Sequence, residues 1–518
     1  MFSNFRFSRP HAGLLLLCAA WLLPGLVGHA PWKGGDSEHF VTLWQLQQHG
    51  FSAALTQPLY YAVATATAWL TSGFLDFADG ARLASGVFVA LALWATAHAA
   101  RYFYDDAQAG WAAAFTLLGC IGLLVRGHEL NPVTAALAAA ALMLAGLAQL
   151  PHRRSGGVLL GGGAVLLLLT GRALEAGVLL GLAALTPLLF AEYRTAPTRR
   201  VLVWAIVGAL GFTAGWLLWL ESQGVPPAQA LALARWQGER QPGYYAGILG
   251  WYAWPAWPLA LWALYRARRQ ARTAGVWLPA LAWLGLMALA SLEHAPNEKT
   301  GLLLLLPLAL LGGAGLLSLR RGAANALLWF ALMLFGTIGL VFWITWSAHD
   351  LGTPARLARR LAKLGMTGVG EWRPWVTLLG LLVTLAWAGF LLRVERSPLR
   401  PMLVWTAGIT FIWCLLMALF LAPLDRRLAY TSVAQQLAAR VPAGECVQTH
   451  QVRNEQRLLL VYHSQRELIP ADMDCRWLLV ETRERGIEPH ISPSWAKVWD
   501  GARPGDRSDR FHLYARRP

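Results

Sequence analysis

A short polar segment after the first apolar block combines the residue types that acid–base chemistry needs. It reads Pro31-Trp32-Lys33-Gly34-Gly35-Asp36-Ser37-Glu38-His39. Two glycines before an acidic residue leave the backbone free to bring a carboxylate close to another group. Asp36 is therefore a candidate general base. The alternative is that Asp36 or Ser37 caps the helix that follows, where acidic residues in the first turn also favour the helix dipole.

Further polar side chains recur between the later apolar blocks, on the same predicted face of a membrane. Each one alone is typical of a solvated loop charge. Together they place acids and bases at one membrane boundary, with few ionisable residues inside a block, where a transporter or proton relay would need them. The set is Arg126, His128, Glu129 and Asn131; Arg172 and Glu175; Arg235, Glu239, Arg240, Tyr244 and Tyr245; and His294, Asn297, Glu298 and Lys299.

A carboxylate accompanied by several cations is a set of groups that can move a sugar away from a phosphate. The carboxylate accepts the proton of the attacking hydroxyl, and Arg or Lys side chains neutralise the departing phosphate. A phosphate diester is already a good leaving group. No second carboxylate has to act as an acid, in contrast to the carboxylate pair of a glycosidase.

The composition places most of the chain in a membrane. Of 518 residues, 56% are hydrophobic and 14% are charged, whereas about a quarter of the residues of a soluble domain are charged. The apolar residues form blocks close to the roughly 20 residues that a helix needs to cross hydrocarbon. The fifth block is short and rich in glycine, so it and the sixth are either two crossings or a re-entrant hairpin. We predict about thirteen spans: 13–27, 81–100, 110–125, 133–150, 158–170, 173–190, 201–220, 248–265, 276–292, 301–319, 326–346, 375–392 and 403–421.

The net charge of +16 is distributed in short clusters between the apolar blocks. This pattern lacks the basic face with interleaved aromatic residues that marks nucleic-acid binding, so we predict no nucleic-acid partner. Basic short loops mark the cytoplasmic side. A cytoplasmic N-terminus places every strongly basic short loop inside, and it places the C-terminus in the periplasm of a bacterial inner membrane. The N-terminus resembles a signal peptide, but Pro31 after the would-be cleavage point predicts that the first helix is retained.

The tail after residue 424 changes character, because charged residues occur throughout it. We predict a membrane domain at 1–424 and a soluble periplasmic α/β domain at 425–518. The tail opens with Tyr430, Val433, Leu437 and Val441 at helical spacing, and it continues with strand-like runs at 446–449, 458–462, 477–480 and 511–514.

The five cysteines show no metal-binding spacing. Cys18, Cys120 and Cys414 lie inside apolar blocks, where a thiol behaves as a small hydrophobic group. Cys446 and Cys475 lie in the polar tail, and an oxidising compartment would let them form a disulfide. The alternative is two free thiols in a small core.

At these residues the chain resembles the GT-C superfamily of polyprenyl-phosphate-dependent glycosyltransferases. The resemblance is to the branch of protein O-mannosyltransferases and lipid A 4-amino-4-deoxy-L-arabinose transferases, and it spans almost the whole chain. The family's acidic motif corresponds to Gly35-Asp36-Ser37-Glu38, although the family has Asp and Glu adjacent. Its Lys-Pro-Pro-Leu-Tyr-Tyr-like stretch corresponds to Thr56-Gln57-Pro58-Leu59-Tyr60-Tyr61. A Lys before a Leu/Pro-rich helix is Lys299 here, followed by Thr300 where the family usually has Tyr.

The resemblance implies an all-α GT-C membrane domain, with amphipathic outer helices near 38–49 and 58–71, and an inverting transferase reaction. A sugar would pass from a polyprenyl-phosphate donor, undecaprenyl phosphate in a bacterium, to a hydroxyl of a lipid, glycan or protein at the periplasmic face. Asp36 would be the base and Glu129 a second acidic group. The implied substrate-binding residues are Arg126, Lys299, Arg240, Glu38, Tyr60 and Tyr61.

No cofactor is required by this chemistry. A divalent cation at Asp36 and Glu129 is kept as an alternative, although hard cations prefer more oxygen ligands than these two side chains supply. Two other classes of protein compete with the transferase. One is a non-catalytic membrane scaffold that presents the tail domain, and the other is a flippase or transporter of lipid-linked sugars, which would favour broken helices with polar midplane residues.

Overall fold

The computed structural model describes residues 9–50, 54–237, 241, 243–269, 273–366, 373–470, 475–482, 491–506 and 509–517, and these residues are mainly helical. The first helices are α1 (Arg9–Leu22), α2 (Gly35–His49), α3 (Pro58–Thr71), α4 (Phe77–Tyr104), α5 (Ala107–Leu118), α6 (Ile121–Arg126), α7 (Val133–Gln149), α8 (Gly156–Leu168), α9 (Ala173–Leu189) and α10 (Ala196–Ser222). They are followed by α11 (Pro227–Ala230), α12 (Tyr244–Tyr252), α13 (Ala256–Ala267), α14 (Ala274–Ser291), α15 (Leu302–Leu317), α16 (Arg321–Asp350), α17 (Ala355–Lys363), α18 (Pro374–Arg393) and α19 (Arg400–Leu428).

Six helices within the described residues are long and apolar enough to cross a membrane: α4, α10, α14, α16, α18 and α19. Only 11% of the most apolar window of α10 or α18 is buried, so the apolar side chains of these helices face outward and need a non-aqueous environment. Shorter apolar helices include α7, α8, α9 and α15. The chain is a multi-pass helical membrane protein, and the predicted count of thirteen spans is not confirmed.

Each of the predicted apolar blocks contains helix, but two of them are interrupted. The block at 110–125 is divided into α5 and α6, because the backbone of Cys120 is extended. The block at 248–265 is divided into α12 and α13 around Pro255, which precedes the first residue of α13. Proline lacks an N–H and disfavours helical backbone at the residue before it, so it separates two helices that the apolar pattern alone joins. The helices predicted near 38–49 and 58–71 are α2 and α3.

The chain forms two compact units. The first unit consists of Met1–Leu26, His49–Gly336 and Leu385–Trp413. The second unit consists of Val27–Gln48, Thr337–Thr384 and Cys414–Pro518. The predicted domain boundary at residue 425 lies inside α19 and stays a prediction.

The core of the first unit is built around α7 and α15. Every residue of α7 is buried, and so are most residues of α15. Small residues allow such close packing, since helix backbones can then approach each other. A Cβ atom at Gly146 of α7 would lie 2.4 Å from the backbone nitrogen of Leu160 in α8. A larger residue at Gly146 would therefore separate these two helices.

The C-terminal module of the second unit, residues 431–516, is a five-stranded mixed sheet with two helices. Its elements are α20 (Thr431–Ala438), β1 (Cys446–His450), α21 (Asn454–Ser464), β2 (Glu467–Pro470), β3 (Trp477–Thr482), β4 (Trp495–Ala502) and β5 (Arg510–Arg516). The strand order is β2-β1-β3-β5-β4. β1 is parallel to β2 and β3, whereas β5 is antiparallel to β3 and β4. This arrangement confirms the predicted small α/β module.

The predicted strand at 458–462 is wrong, because this segment is part of α21. Its buried positions, Gln456, Leu459 and Leu460, have the spacing of one helix face. A run of consecutive apolar residues does not distinguish a short buried strand from a helix. β2 and β4 were not predicted.

The structure links Cys446 and Cys475 by a disulfide, with a Cα–Cα distance of 5.6 Å. The bond joins the start of β1 to the residues just before β3, its parallel neighbour. Cys18, Cys120 and Cys414 are outside any disulfide.

We expect the double variant Cys446→Ser, Cys475→Ser to lower the free energy of unfolding of the module by about 3–4 kcal/mol, because the bond closes a loop of moderate length in the unfolded chain. Urea unfolding followed by tryptophan fluorescence measures this loss, with Cys18→Ser as the control. Maleimide labelling of the unfolded, unreduced chain should detect only the three free thiols. Labelling of all five would contradict the bond.

Candidate functional site

The acidic motif lies at the start of α2. With Gly34 as the residue before the helix, Ser37 is at the third helical position, and its hydroxyl accepts a hydrogen bond from the Gly34 N–H at 3.2 Å. This is the return bond of a capping box, made by serine in place of the usual Glu or Gln. Ser37 therefore takes the capping role that the sequence left open between it and Asp36.

Asp36 is 2% exposed and points back to the loop before the helix. Its Oδ2 accepts a hydrogen bond from the Trp32 N–H at 3.0 Å. Glu38, two residues further along α2, is exposed. The two acidic residues of the motif therefore have different environments, and Asp36 is the one that the protein encloses.

Asp425, near the end of α19, holds the loop that precedes Asp36. Its Oδ1 accepts hydrogen bonds from the Ala30 N–H at 3.0 Å and from the Trp32 indole N–H at 2.9 Å. The Trp32 ring also stacks on the His29 ring, with 4.0 Å between the ring centroids. The backbone that presents Asp36 is thus tied to a residue almost 400 positions away in sequence.

The C-terminal module holds the same segment through Lys33. The Lys33 ammonium donates to Asp509 Oδ2 at 2.8 Å. The same oxygen accepts bonds from the Tyr430 hydroxyl at 3.0 Å and from Gln456 Nε2 at 3.2 Å. Arg503 Nη2 lies 3.5 Å from it. Asp509 is therefore the centre of a polar network that joins Lys33 to the module.

Helix α2 also packs on the module directly. Ser37 donates a short hydrogen bond to Glu455 of α21. The ring of Phe40 meets the ring of Tyr462 edge-on, with 4.8 Å between centroids. The module thus takes part in fixing the helix that carries Asp36.

We expect the ion pair between Lys33 and Asp509 to contribute less to stability at acidic pH. Burial alone opposes the charge of Asp509, but the hydrogen bond and positive charge of Lys33 outweigh it and hold the pKa of this carboxyl below its ordinary value. The unfolded chain therefore binds this proton more readily than the folded chain. Asp509 contributes fully to stability above the ordinary pKa of aspartate, which is near 4 in the unfolded chain. This contribution is lost as the pH falls from there toward the lower pKa of Asp509 in the folded chain.

Thermal unfolding of the purified chain between pH 7 and pH 3 tests this expectation. The unfolding midpoint should fall more steeply below about pH 4 in the wild type than in Asp509→Asn, which has no carboxylate to protonate. Lys33→Met should give an intermediate slope. Parallel profiles for all three proteins would show that the Asp509 network does not stabilise the fold.

In the first unit, Arg126 bridges two carboxylates. Its Nη1 donates to Glu129 Oε2 at 2.9 Å, and its Nη2 donates to Glu298 Oε2 at 2.8 Å. All three side chains are partly exposed. The cluster brings together the residues after α6 and the residues before α15, which the sequence treats as separate loops.

Tyr60 is hydrogen-bonded to residues next to this cluster. It is fully buried, and its hydroxyl lies 2.8 Å from the Ser85 hydroxyl and accepts a bond from the Asn131 N–H at 3.0 Å. Ser85 in turn donates to the Glu129 carbonyl at 2.6 Å. Tyr61 is 5% exposed. This burial favours a role for Tyr60 in positioning the Glu129 loop over direct contact with a substrate.

A second group of charges is almost enclosed in the first unit. Glu175 Oε1 accepts bonds from Arg172 Nη1 and Arg235 Nη2, both at 3.0 Å. Arg235 Nε also donates to Glu293 Oε1 at 3.0 Å, and the Tyr245 hydroxyl donates to Glu293 Oε2 at 2.6 Å. The sequence indicated four of these residues and missed Glu293, whose position at the end of an apolar block could have identified it.

The remaining predicted site residues are placed as follows. Lys299 is half-buried just before α15. Arg240 and Glu239 lie outside the described residues. Among the residues that the structure describes, no three His, Cys, Asp or Glu side chains converge to form a metal site. Asp36 belongs to the second unit and Glu129 to the first, and a cation at these two residues stays a prediction.

The architecture defines a class of protein, a polytopic helical membrane protein with a small C-terminal α/β module. Solved structures with this fold are known. Neither a family model nor a curated protein sequence matches the chain. The structure is similar to that of ArnT from Cupriavidus metallidurans in the apo state, with a TM-score of 0.69, 14% sequence identity and coverage of 98% of each chain.

The undecaprenyl-phosphate-bound structure of the same ArnT gives a TM-score of 0.68 at 15% identity, over 97% of each chain. The oligosaccharyltransferase AglB from Archaeoglobus fulgidus, in complex with an inhibitory peptide and a dolichol-phosphate, aligns over 92% of this chain and 70% of its own, with a TM-score of 0.48 and 9% identity. The ArnT similarity shows that the chain has a GT-C fold that includes the C-terminal module.

Proposed function

We propose that the chain is an integral-membrane glycosyltransferase that moves a sugar from a polyprenyl-phosphate donor to a hydroxyl acceptor. The observation that carries this proposal is the enclosed carboxylate of Asp36 at the start of α2, in a chain with a GT-C fold. The solved ArnT with bound undecaprenyl phosphate supports undecaprenyl phosphate as the carrier lipid. Fold alone does not establish an activity, so the site must be tested directly.

In the proposed reaction, the acceptor hydroxyl attacks the anomeric carbon from the face opposite the phosphate. A new glycosidic bond forms while the bond between the anomeric carbon and the phosphate oxygen breaks, and the configuration inverts. The hydroxyl proton passes to Asp36, and the bonding electrons leave with the polyprenyl phosphate, which gains one negative charge. Cations that neutralise this charge lower the barrier.

Arg126, Lys299 and Arg240 are the proposed ligands of the phosphate, and Glu129 is the proposed second acidic group. The two carboxylates on Arg126 limit the positive charge that it offers to a phosphate. Lys299, which is half-buried just before α15, is the other described cation of the proposal. Glu38, which is exposed, is the proposed contact of an acceptor.

Release of polyprenyl phosphate is the measurement that tests the proposal, because it does not depend on the identity of the acceptor. The purified chain is incubated with a labelled polyprenyl-phosphate sugar and with lipid, glycan and peptide acceptors in turn. Release coupled to labelling of one acceptor supports the transferase. A membrane scaffold would release none, and a flippase would move the intact donor across vesicles without consuming it.

We also propose that the site faces the periplasm. The basic short loops predict a cytoplasmic N-terminus and an odd number of crossings before the tail. Alkaline phosphatase fused after Asp425 should be active, and the same enzyme fused after Arg321 should be inactive. The reverse pattern would place the Asp36 loop in the cytoplasm and contradict the proposed orientation.

A further inference from the structure

A cavity of about 530 Å³ lies within the second unit, where the ends of three helices meet. The end of α16 contributes His349 and Asp350, Arg373 lies just before α18, and the end of α19 contributes Asp425 and Arg426. Apolar side chains form the rest of the wall, among them Trp375, Val376, Leu379, Met417 and Leu421. The cavity is therefore polar at the helix ends and apolar along the helices.

His349 is buried in the wall of this cavity, at 6% exposure. Its Nδ1 makes a short hydrogen bond to Asp350, which orients the ring. Its Nε2 is buried and has no hydrogen-bond partner among the described residues. A buried polar atom without a partner costs about 1–3 kcal/mol, so this nitrogen is suited to a polar atom of a ligand.

The charged groups of the wall favour an anion at Arg373. Arg373 and Arg426 carry positive charges, and Asp350 and Asp425 carry negative charges. Asp350 is paired with His349, and Asp425 already accepts the Ala30 and Trp32 N–H groups. Other groups therefore already engage both carboxylates, and the exposed Arg373 guanidinium is placed to pair with a singly charged phosphodiester.

The position of the cavity indicates a lipid as the source of that phosphodiester. Helix ends in a membrane protein lie at the level of the lipid headgroups, and the exposed Trp375 in the cavity wall is a residue typical of that level. The apolar wall continues from the charged end along α18 and α19. An amphiphile with an anionic head and hydrocarbon chains fits both halves of the cavity, whereas a soluble phosphate would use only one.

We propose that this cavity binds the phosphodiester headgroup of a membrane lipid, with His349 Nε2 and Arg373 as ligands of the phosphate and the apolar wall as the site of the acyl chains. This lipid site is separate from the sugar transfer proposed above. It adjoins the Asp36 loop through Asp425, which lines the cavity and holds Trp32.

Binding of a fluorescent phosphatidylglycerol to the full chain, in micelles of a phosphate-free detergent, tests the proposal. His349→Gln and Arg373→Gln should each weaken binding about tenfold, because each removes a charge-assisted hydrogen bond to the phosphate. Arg199→Gln, an exposed arginine at the start of α10, is the matched control and should bind as the wild type does. Arg373 is exposed, so its variant keeps the test valid even if His349→Gln misfolds.

The same fluorophore on diacylglycerol, which lacks the phosphate, separates headgroup from chain recognition. The proposal requires weaker binding of this probe to the wild type and no further loss in the two variants. Unchanged phosphatidylglycerol binding in Arg373→Gln and in folded His349→Gln would overturn it. Displacement of the lipid by an equal concentration of glycerol phosphate would also overturn it, because the site would then recognise a soluble phosphate.

Discussion

Asp36→Asn is expected to lower sugar transfer by about 10²-fold or more while the protein folds as before. Asparagine keeps the size of the side chain, and its carbonyl oxygen can still accept the Trp32 N–H bond that Asp36 makes at 3.0 Å. The capping bond at the helix start belongs to Ser37 and is unaffected. The substitution therefore removes the negative charge and the capacity to accept a proton while it keeps the shape of the side chain.

Turnover of the labelled donor and the thermal unfolding midpoint should be measured on the same preparation. Glu38→Gln is measured beside it, since Glu38 is an exposed acid two residues further along the same helix, and Glu467→Gln, at an exposed acid of β2 with no proposed role in the reaction, is the control. We expect near-normal turnover in Glu467→Gln and a smaller loss in Glu38→Gln than in Asp36→Asn. Wild-type turnover in Asp36→Asn would limit Asp36 to shaping the loop, and a large loss only in Glu38→Gln would assign the proton transfer to Glu38 instead.

Arg235→Met should cause the largest loss of stability that we predict in the first unit. Arg235 donates to both Glu175 and Glu293, which are only 6% and 4% exposed in their side chains. Removing the cation takes away the ion pair of Glu293 with Arg235, and among the described residues it leaves Glu175 hydrogen-bonded to Arg172. Removing one partner of a buried ion pair typically costs about 3–5 kcal/mol.

The loss should be visible as a lower unfolding midpoint of the detergent-solubilised chain. Arg199→Met, at an exposed arginine of α10, is the matched control and should change the midpoint little. Adding Glu293→Gln to Arg235→Met should recover part of the loss, because the uncompensated carboxylate becomes a neutral amide. Additive losses in the double variant would show that Arg235 and Glu293 act independently.

The membrane domain was predictable because hydrocarbon imposes a simple local rule on the sequence. Every backbone polar group must be satisfied within the spanning segment, so a crossing helix must be apolar over a nearly constant length. The same local patterns identified the module after α19, and Cys446 and Cys475 as the pair in the tail, whereas α2 and α3 were expected from the family resemblance. They failed at Pro255, where one apolar block contains two helices, and at α21, where an apolar run is compatible with helix and strand.

The motif around Asp36 was also visible in the sequence, because glycine, acidic and capping residues act on their immediate neighbours. The sequence could not decide whether Asp36 or Ser37 caps α2, since both side chains can reach the same N–H groups. The structure assigns the cap to Ser37 and leaves Asp36 on the Trp32 N–H. That difference decides which residue is the better candidate for a base.

Only the tertiary structure could show which charges meet. Lys33 lies 476 residues from Asp509, and Arg126 lies 172 residues from Glu298. Asp509, Asp425 and Glu293 were not recognised, because each has its role through partners that are distant in sequence. Local spacing determines which residues share a helix face, whereas pairing across the fold depends on how helices pack, and no pattern of neighbours along the chain encodes that packing.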